Sequence, residues 1–290
     1  MKIRTDFVTN SSSSSFTLTL RLKLKNGNDV MLSNYREEGD ANCGGSELDI
    51  YEAETNQRKH VNYDPMDVFC DLDEIDEEEI FFMEHDPDEI AEAVDYKLNL
   101  GIGSGFGLSE VQKMTDIDFA GQLADAFSFY AEDNEGSNEE EFFDEDDFDE
   151  SDDLMNALIE KAIEKYHESS QKAREYLADN IKSKKDIEDM YVTMDFSGRG
   201  EMLAGPKEIL DKVLGFGDAQ IIYSAAKESD KEVEKVASEL QAQGVAKDYS
   251  LQAVVNALRL AKELNYAPDE ASVKQTIAKD GKYDLEFSWE

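Results

Sequence analysis

Phe16-Thr-Leu-Thr-Leu-Arg-Leu-Lys-Leu-Lys-Asn-Gly-Asn-Asp-Val-Met-Leu32 is the stretch that decides the fold. Its first ten residues alternate without a break: Phe16, Leu18, Leu20, Leu22 and Leu24 against Thr17, Thr19, Arg21, Lys23 and Lys25. A period of two sends the two sets to opposite faces of a strand, one apolar and the other basic and hydroxylated. Asn26-Gly27 is a tight-turn dipeptide, and Val30-Met31-Leu32 supplies the returning strand. The reading is a β-hairpin over residues 16–33.

Downstream, residues 34–46 are polar and contain Gly39, Gly44 and Gly45, which predicts a loop. Leu48-Asp-Ile-Tyr-Glu-Ala53 predicts a third strand. From residue 64 the pattern changes. Val68, Leu72 and Ile75, then Ile80, Met83, Ile90 and Val94, recur at helical spacing among acids, predicting short helices broken near Pro65 and Pro87. Val111, Met114, Phe119, Leu123 and Phe127 predict one helix over Leu108–Tyr130. A stripe through Leu154, Leu158, Ile163, Tyr166, Ala173, Leu177 and Ile181 predicts an amphipathic helix or helix pair over 154–187.

The remainder alternates in type. Tyr191–Phe196 and Gln220–Ser224 predict strands. Helices are predicted over 206–214, with Pro206 in the first turn, over 229–243, and over 250–265 with Ser250 as N-cap. The last of these turns Leu251, Val254, Leu258, Ala261 and Leu264 inward. A further helix is predicted from Pro268 to Lys279, ending at Gly281, and Tyr283–Trp289 alternates as a closing strand. The chain therefore reads as α+β: an N-terminal β-hairpin region, an acidic helical middle and a mixed α/β C-terminal domain.

The charge is partitioned along the same divisions. The formal net charge is −39 over 290 residues. Residues 1–63, a serine-rich arm plus β-rich region, carry 8 Lys+Arg and 9 Asp+Glu. Residues 64–153, the acidic region, carry 2 and 33. Residues 154–290, the α+β domain, carry 19 and 26. A halophile spreads acid over its whole surface, whereas here both flanks keep ordinary numbers of Lys and Arg. Such a local field attracts cations and basic surfaces and repels nucleic acid and anionic membranes. No apolar run approaches the roughly 18 residues that span a bilayer, and Met1–Asn10 has no apolar signal core. A cytoplasmic location is the expectation, without direct nucleic-acid or membrane contact. Cys43 and Cys70 are too few for a disulfide framework.

The motifs for chemistry are sparse. Gly101-Ile-Gly-Ser-Gly-Phe-Gly107 lacks both a preceding apolar strand and a following Lys-Ser/Thr, so it reads as a loop or hinge. The acidic runs lack the glycine at the sixth position of an EF-hand loop. His60, His85 and His167 share no ligand spacing. No cofactor, metal or catalytic residue is assigned. Ser197-Gly-Arg199-Gly reads as a strand-ending turn; an enzyme built in 154–290 around Arg199 stays as an alternative.

Five consecutive serines, Ser11, Ser12, Ser13, Ser14 and Ser15, stand before the first strand as candidates for docking or modification. Phe7-Val-Thr-Asn-Ser-Ser-Ser-Ser-Ser-Phe16, after a Met-Lys-Ile-Arg start, resembles a recurring N-terminus of uncharacterised bacterial and bacteriophage proteins. It covers 16 residues and implies a source, with neither fold nor activity. An assembly component docking or modified through this arm is a second alternative.

The acidic region provides the leading expectation. B-DNA carries one charge per roughly 1.7 Å of axis, so 31 net charges correspond to roughly 50 Å of duplex. Aromatic side chains interleaved with the acids would fix register on a partner. The candidate contacts are Glu78, Phe81, Phe82, Glu141, Phe142, Phe143, Asp144, Asp147, Phe148 and Asp149. The expectation is a non-enzymatic protein, phage-associated, that binds the basic surface of a nucleic-acid-binding protein as a DNA mimic.

Overall fold

Leu18, Leu20, Leu22 and Leu24 point the same way from one strand, and that strand is the middle of the molecule. The computed structural model describes residues 14–38, 43–61, 106–127, 129, 150–198, 205–265 and 268–289. Seven strands lie in them: β1 (Ser14–Leu24), β2 (Asp29–Glu38), β3 (Cys43–Glu52), β4 (Gln57–His60), β5 (Ile187–Gly198), β6 (Glu270–Ile277) and β7 (Tyr283–Trp289). They form one antiparallel sheet in the order β4-β3-β2-β1-β5-β6-β7. The hairpin β1–β2 forms as the alternation predicts, with Leu20 opposite Leu32 and Leu22 opposite Val30. On its other edge β1 pairs with β5, Leu20 opposite Val192 and Phe16 opposite Phe196.

The register extends each leucine into a row across the sheet. Leu48, Leu32, Leu20, Val192, Gln275 and Leu285 form one such row. The described residues also hold seven α-helices: α1 (Leu108–Lys113), α2 (Phe119–Ala126), α3 (Glu150–Asn180), α4 (Pro206–Leu214), α5 (Phe216–Glu228), α6 (Val233–Ala242) and α7 (Leu251–Glu263). One apolar cluster joins the inward rows to Val111, Phe119, Leu177, Ile209, Ile222, Val236 and Leu258, so helices pack on one face of the sheet. This is an α+β arrangement of two layers. Each fully buried leucine of β1 adds about 2 kcal/mol of transfer free energy.

One polar residue sits inside an apolar row. Gln275 Oε1 accepts from the Leu108 backbone N–H at 2.7 Å, and its Nε2 donates to Tyr249 Oη at 3.3 Å. Tyr249 Oη donates to the Val213 carbonyl at 2.9 Å. A buried amide thus ties β6 to the starts of α1 and α7 and to the end of α4, satisfying groups that would otherwise be costly to bury. Burial pushes the Tyr249 phenol up to about 12, which keeps its proton in place to donate.

Several sequence expectations are corrected. Residues 34–46 are not a loop throughout: β2 runs to Glu38 and β3 starts at Cys43. Tyr35 stands opposite Gly45 and its ring fills the space above that glycine, which has no side chain to pack. β4 was not foreseen, because Gln57-Arg-Lys-His60 has no apolar face to betray a strand.

Leu108–Tyr130 is two helices. Asp118 takes φ +52°, and the Gln122 amide bonds the backbone carbonyls of Thr115, Ile117 and Asp118, stabilising the break. Residues 220–224 are the interior of α5, since Ala219, Ile222 and Ala226 are buried at helical spacing and β-branched propensity yields to that packing. Residues 268–279 are mostly strand: Ala271, Val273 and Gln275 alternate inward, a period of two mistaken for a helix. Helix α3 is one unbroken helix of 31 residues. A capping box of Ser183 and Asp186 opens the 3₁₀ turn Lys184–Asp186 that leads into β5. The other predicted elements, α4, α6, α7, β3, β5 and β7, are present. Within α7, Leu251 is exposed rather than inward. Ser250 caps that helix as expected, accepting from the Ala253 backbone at 3.0 Å.

Candidate functional site

The face of the sheet opposite the leucine rows carries the polar half of each alternation. Thr17, Thr19, Arg21 and Lys23 of β1 stand beside Met31, Ser33 and Tyr35 of β2 and Tyr191, Thr193 and Asp195 of β5. Arg21 Nη1 donates to Tyr191 Oη at 2.9 Å, and its other nitrogen pairs with Asp29. Lys274 of β6 lies 4.6 Å from the centre of the Tyr191 ring. Cations and acids stand side by side across this centre.

At the β3–β4 corner the same face becomes denser in titratable groups. Glu47 and Asp49 are two residues apart on β3 and so share the face. Asp49 stands opposite His60 of β4. His60 Nδ1 donates to Asp49 Oδ1 at 3.1 Å, and the Arg58 guanidinium donates to Asp49 Oδ2. Donor atoms of Glu47, Asp49 and His60 all lie within 4.8 Å of one another. Asp49 is only 3 % exposed although it belongs to the polar face, whereas Arg58 and His60 are exposed.

Burial alone raises the Asp49 pKa. The hydrogen bonds from His60 and Arg58 and their positive charges outweigh it, so the carboxyl titrates below its ordinary range. The Arg58 guanidinium is raised, chiefly by its hydrogen bond to Asp49. A carboxylate, an imidazole and a second carboxylate on two paired strands are the functional groups that bind a divalent cation or hold a basic side chain. The sequence missed this cluster because His60 lies 11 and 13 positions from the two carboxylates and meets them only through the β3–β4 register. The Asn56 turn, which takes φ +55°, was the local clue.

The sequence-predicted partner contacts fall elsewhere. Glu78, Phe81, Phe82, Glu141, Phe142, Phe143, Asp144, Asp147, Phe148 and Asp149 lie outside the described residues, as do Ser11, Ser12, Ser13 and Arg199. The same holds for the helices read around Pro65 and Pro87 and for most of the glycine stretch. Of that stretch, Phe106 is buried edge-on against Phe127 at 5.3 Å, and Gly107 begins α1. Ser14 and Ser15 belong to β1, and the Ser15 hydroxyl meets that of Ser197 at 2.6 Å.

No family model, curated protein or solved structure matches the chain. Among the described residues no helix is long and apolar enough to cross a membrane.

Proposed function

We propose that this chain is a non-catalytic interaction protein whose acidic segments engage the basic surface of a nucleic-acid-binding protein. The partition of charge carries the reading. The described α+β frame holds 25 Lys+Arg and 38 Asp+Glu. Residues 62–105 and 130–149, which connect parts of that frame, hold 26 acids and one lysine, Lys97. The frame keeps its own charges in local pairs such as Lys231–Glu239, Arg259–Glu234 and Arg174–Asp125. The surplus acid is therefore concentrated in those two segments.

Aromatic residues inside the acid supply the apolar contact that a plain polyanion lacks. A basic groove shaped for a duplex would meet both charge and stacking surface, as nucleic acid itself offers. The resemblance of the N-terminal string to bacterial and bacteriophage proteins fits an origin in which such mimicry would blunt a DNA-acting host factor.

The test is competition. A fluorescent duplex is bound to a basic, non-specific DNA-binding protein, and the full chain is added at about 50 mM and about 200 mM salt. Displacement at low salt that weakens by about 10³-fold or more at the higher concentration is expected if six or more charges pair. Replacing Phe142, Phe143 and Phe148 by alanine should weaken displacement while leaving its salt slope intact. Failure to displace the duplex at low salt would overturn the reading. An unchanged affinity in the alanine variant would reduce the segment to a generic polyanion.

A further inference from the structure

We propose that Glu47, Asp49 and His60 form a binding site for one divalent first-row transition ion, of the Zn²⁺ class, at the β3–β4 corner. The placement comes from sheet register. Two carboxylates at i and i+2 of β3 and an imidazole directly opposite the second of them converge from two paired strands. Their donor atoms fall within 4.8 Å of one another.

One pair already has the spacing of coordination. Bonds of about 2.0–2.2 Å to nitrogen and oxygen separate neighbouring ligand atoms by about 2.8–3.6 Å, from octahedral to tetrahedral angles. His60 Nδ1 and Asp49 Oδ1 are 3.1 Å apart. An ion would take the place of the proton that now lies between them. Glu47, whose carboxylate lies within 4.8 Å of both, then closes on it by side-chain rotation.

Arg58 does not block the site. It holds Asp49 Oδ2 and leaves Oδ1 as the ligand, so it fixes the carboxylate's orientation from behind, as hydrogen bonds to metal-bound carboxylates do. The two carboxylates offset the charge of the ion, and Arg58 stays paired with the outer oxygen of Asp49. The imidazole selects the class of ion. Mg²⁺ and Ca²⁺ prefer all-oxygen shells, whereas one nitrogen with two carboxylate oxygens suits Zn²⁺, Co²⁺ or Mn²⁺. Three protein ligands leave at least one coordination position for water. Bound there, the ion would lock β4 to β3, an edge strand of four residues with every side chain exposed.

The experiment uses the full chain and must see past diffuse cation binding by its many carboxylates. Zn²⁺ is titrated calorimetrically in millimolar Mg²⁺, which saturates carboxylate-only sites. Co²⁺ is then substituted to read the ligand set from its visible spectrum. One Zn²⁺ per chain is expected under these conditions. The affinity should fall by more than about tenfold in His60→Gln and in Glu47→Gln. His60 is exposed, so the His60→Gln variant keeps the fold, and circular dichroism verifies it. Unchanged Zn²⁺ affinity in His60→Gln, or loss of all binding to Mg²⁺, would overturn the proposal. A thiolate-to-cobalt charge-transfer band would overturn it too, because it would place the ion on Cys43 or Cys70.

Discussion

Gly215 joins α4 to α5 with φ +79° and ψ 152°, a backbone conformation that essentially only glycine occupies. A Cβ built there meets nothing within 4 Å. Gly215→Ala therefore isolates the backbone cost from any steric clash. Holding an L-residue in this region costs about 1–3 kcal/mol, and the stiffer unfolded chain of the alanine variant offsets about 0.4–1 kcal/mol of that. The expected net loss is about 1–2 kcal/mol, or about 2–8 °C in Tm at about 2–4 °C per kcal/mol. Gly217, two residues on, lies in the first turn of α5, and its Cβ is equally unopposed. Gly217→Ala should gain about 0.5 kcal/mol from helix propensity. Thermal unfolding of both variants, followed by circular dichroism, gives the comparison. Shifts of the same sign, or a neutral Gly215→Ala, would refute the assignment of the α4–α5 joint to a glycine-only conformation.

Gly45→Ala would bring a Cβ within 2.6 Å of the Tyr35 ring. It should cost about 1–3 kcal/mol as overpacking does, and a double-mutant cycle with Tyr35→Ala should show marked non-additivity in denaturant titrations. Asp49→Asn should destabilise the frame by about 1–2 kcal/mol near neutrality, a value discounted for the exposure of Arg58 and His60. The folded-state pKa of Asp49 lies below its unfolded value, so its contribution is fully present above about pH 4 and is lost as pH falls through the folded pKa. The gap between wild type and Asp49→Asn in urea melts should therefore close on acidification from about pH 4 downward. A gap that stays constant to low pH would refute the pairing.

Much of the frame was legible because alternation is a direct statement about faces. Phe16 to Leu24 declared both strand and burial, and Ser250 and Pro206 marked helix starts by groups that satisfy or omit backbone donors. The errors share a cause. Ile221-Ile222-Tyr223 has strand propensity, yet one face of α5 had to meet α4 and α7, and tertiary packing decided the matter. Ala271 to Ile277 mixes small and polar residues, and its inward Gln275 hides the period of two. That glutamine is inward because Leu108 at the start of α1 offers it a backbone N–H and Tyr249, just before α7, a phenol oxygen, which no local pattern records. The β3–β4 cluster was illegible for a similar reason. Arg58 and His60 are ordinary surface residues until β4 pairs with β3.

The central strand also sets how the chain can change over time. The β1–β5 ladder joins residue pairs such as Arg21 and Tyr191, so forming it closes a loop that contains both acidic segments. Loop closure grows slowly with length, about 0.6 kcal/mol for each doubling. A single added residue within β1, by contrast, would turn its leucines to the wrong face. Pairing so remote in sequence also delays the sheet until the local hairpins and the α4–α7 helices have formed. The frame thus depends on the register of β1, the strand through which the two halves of the sheet are joined.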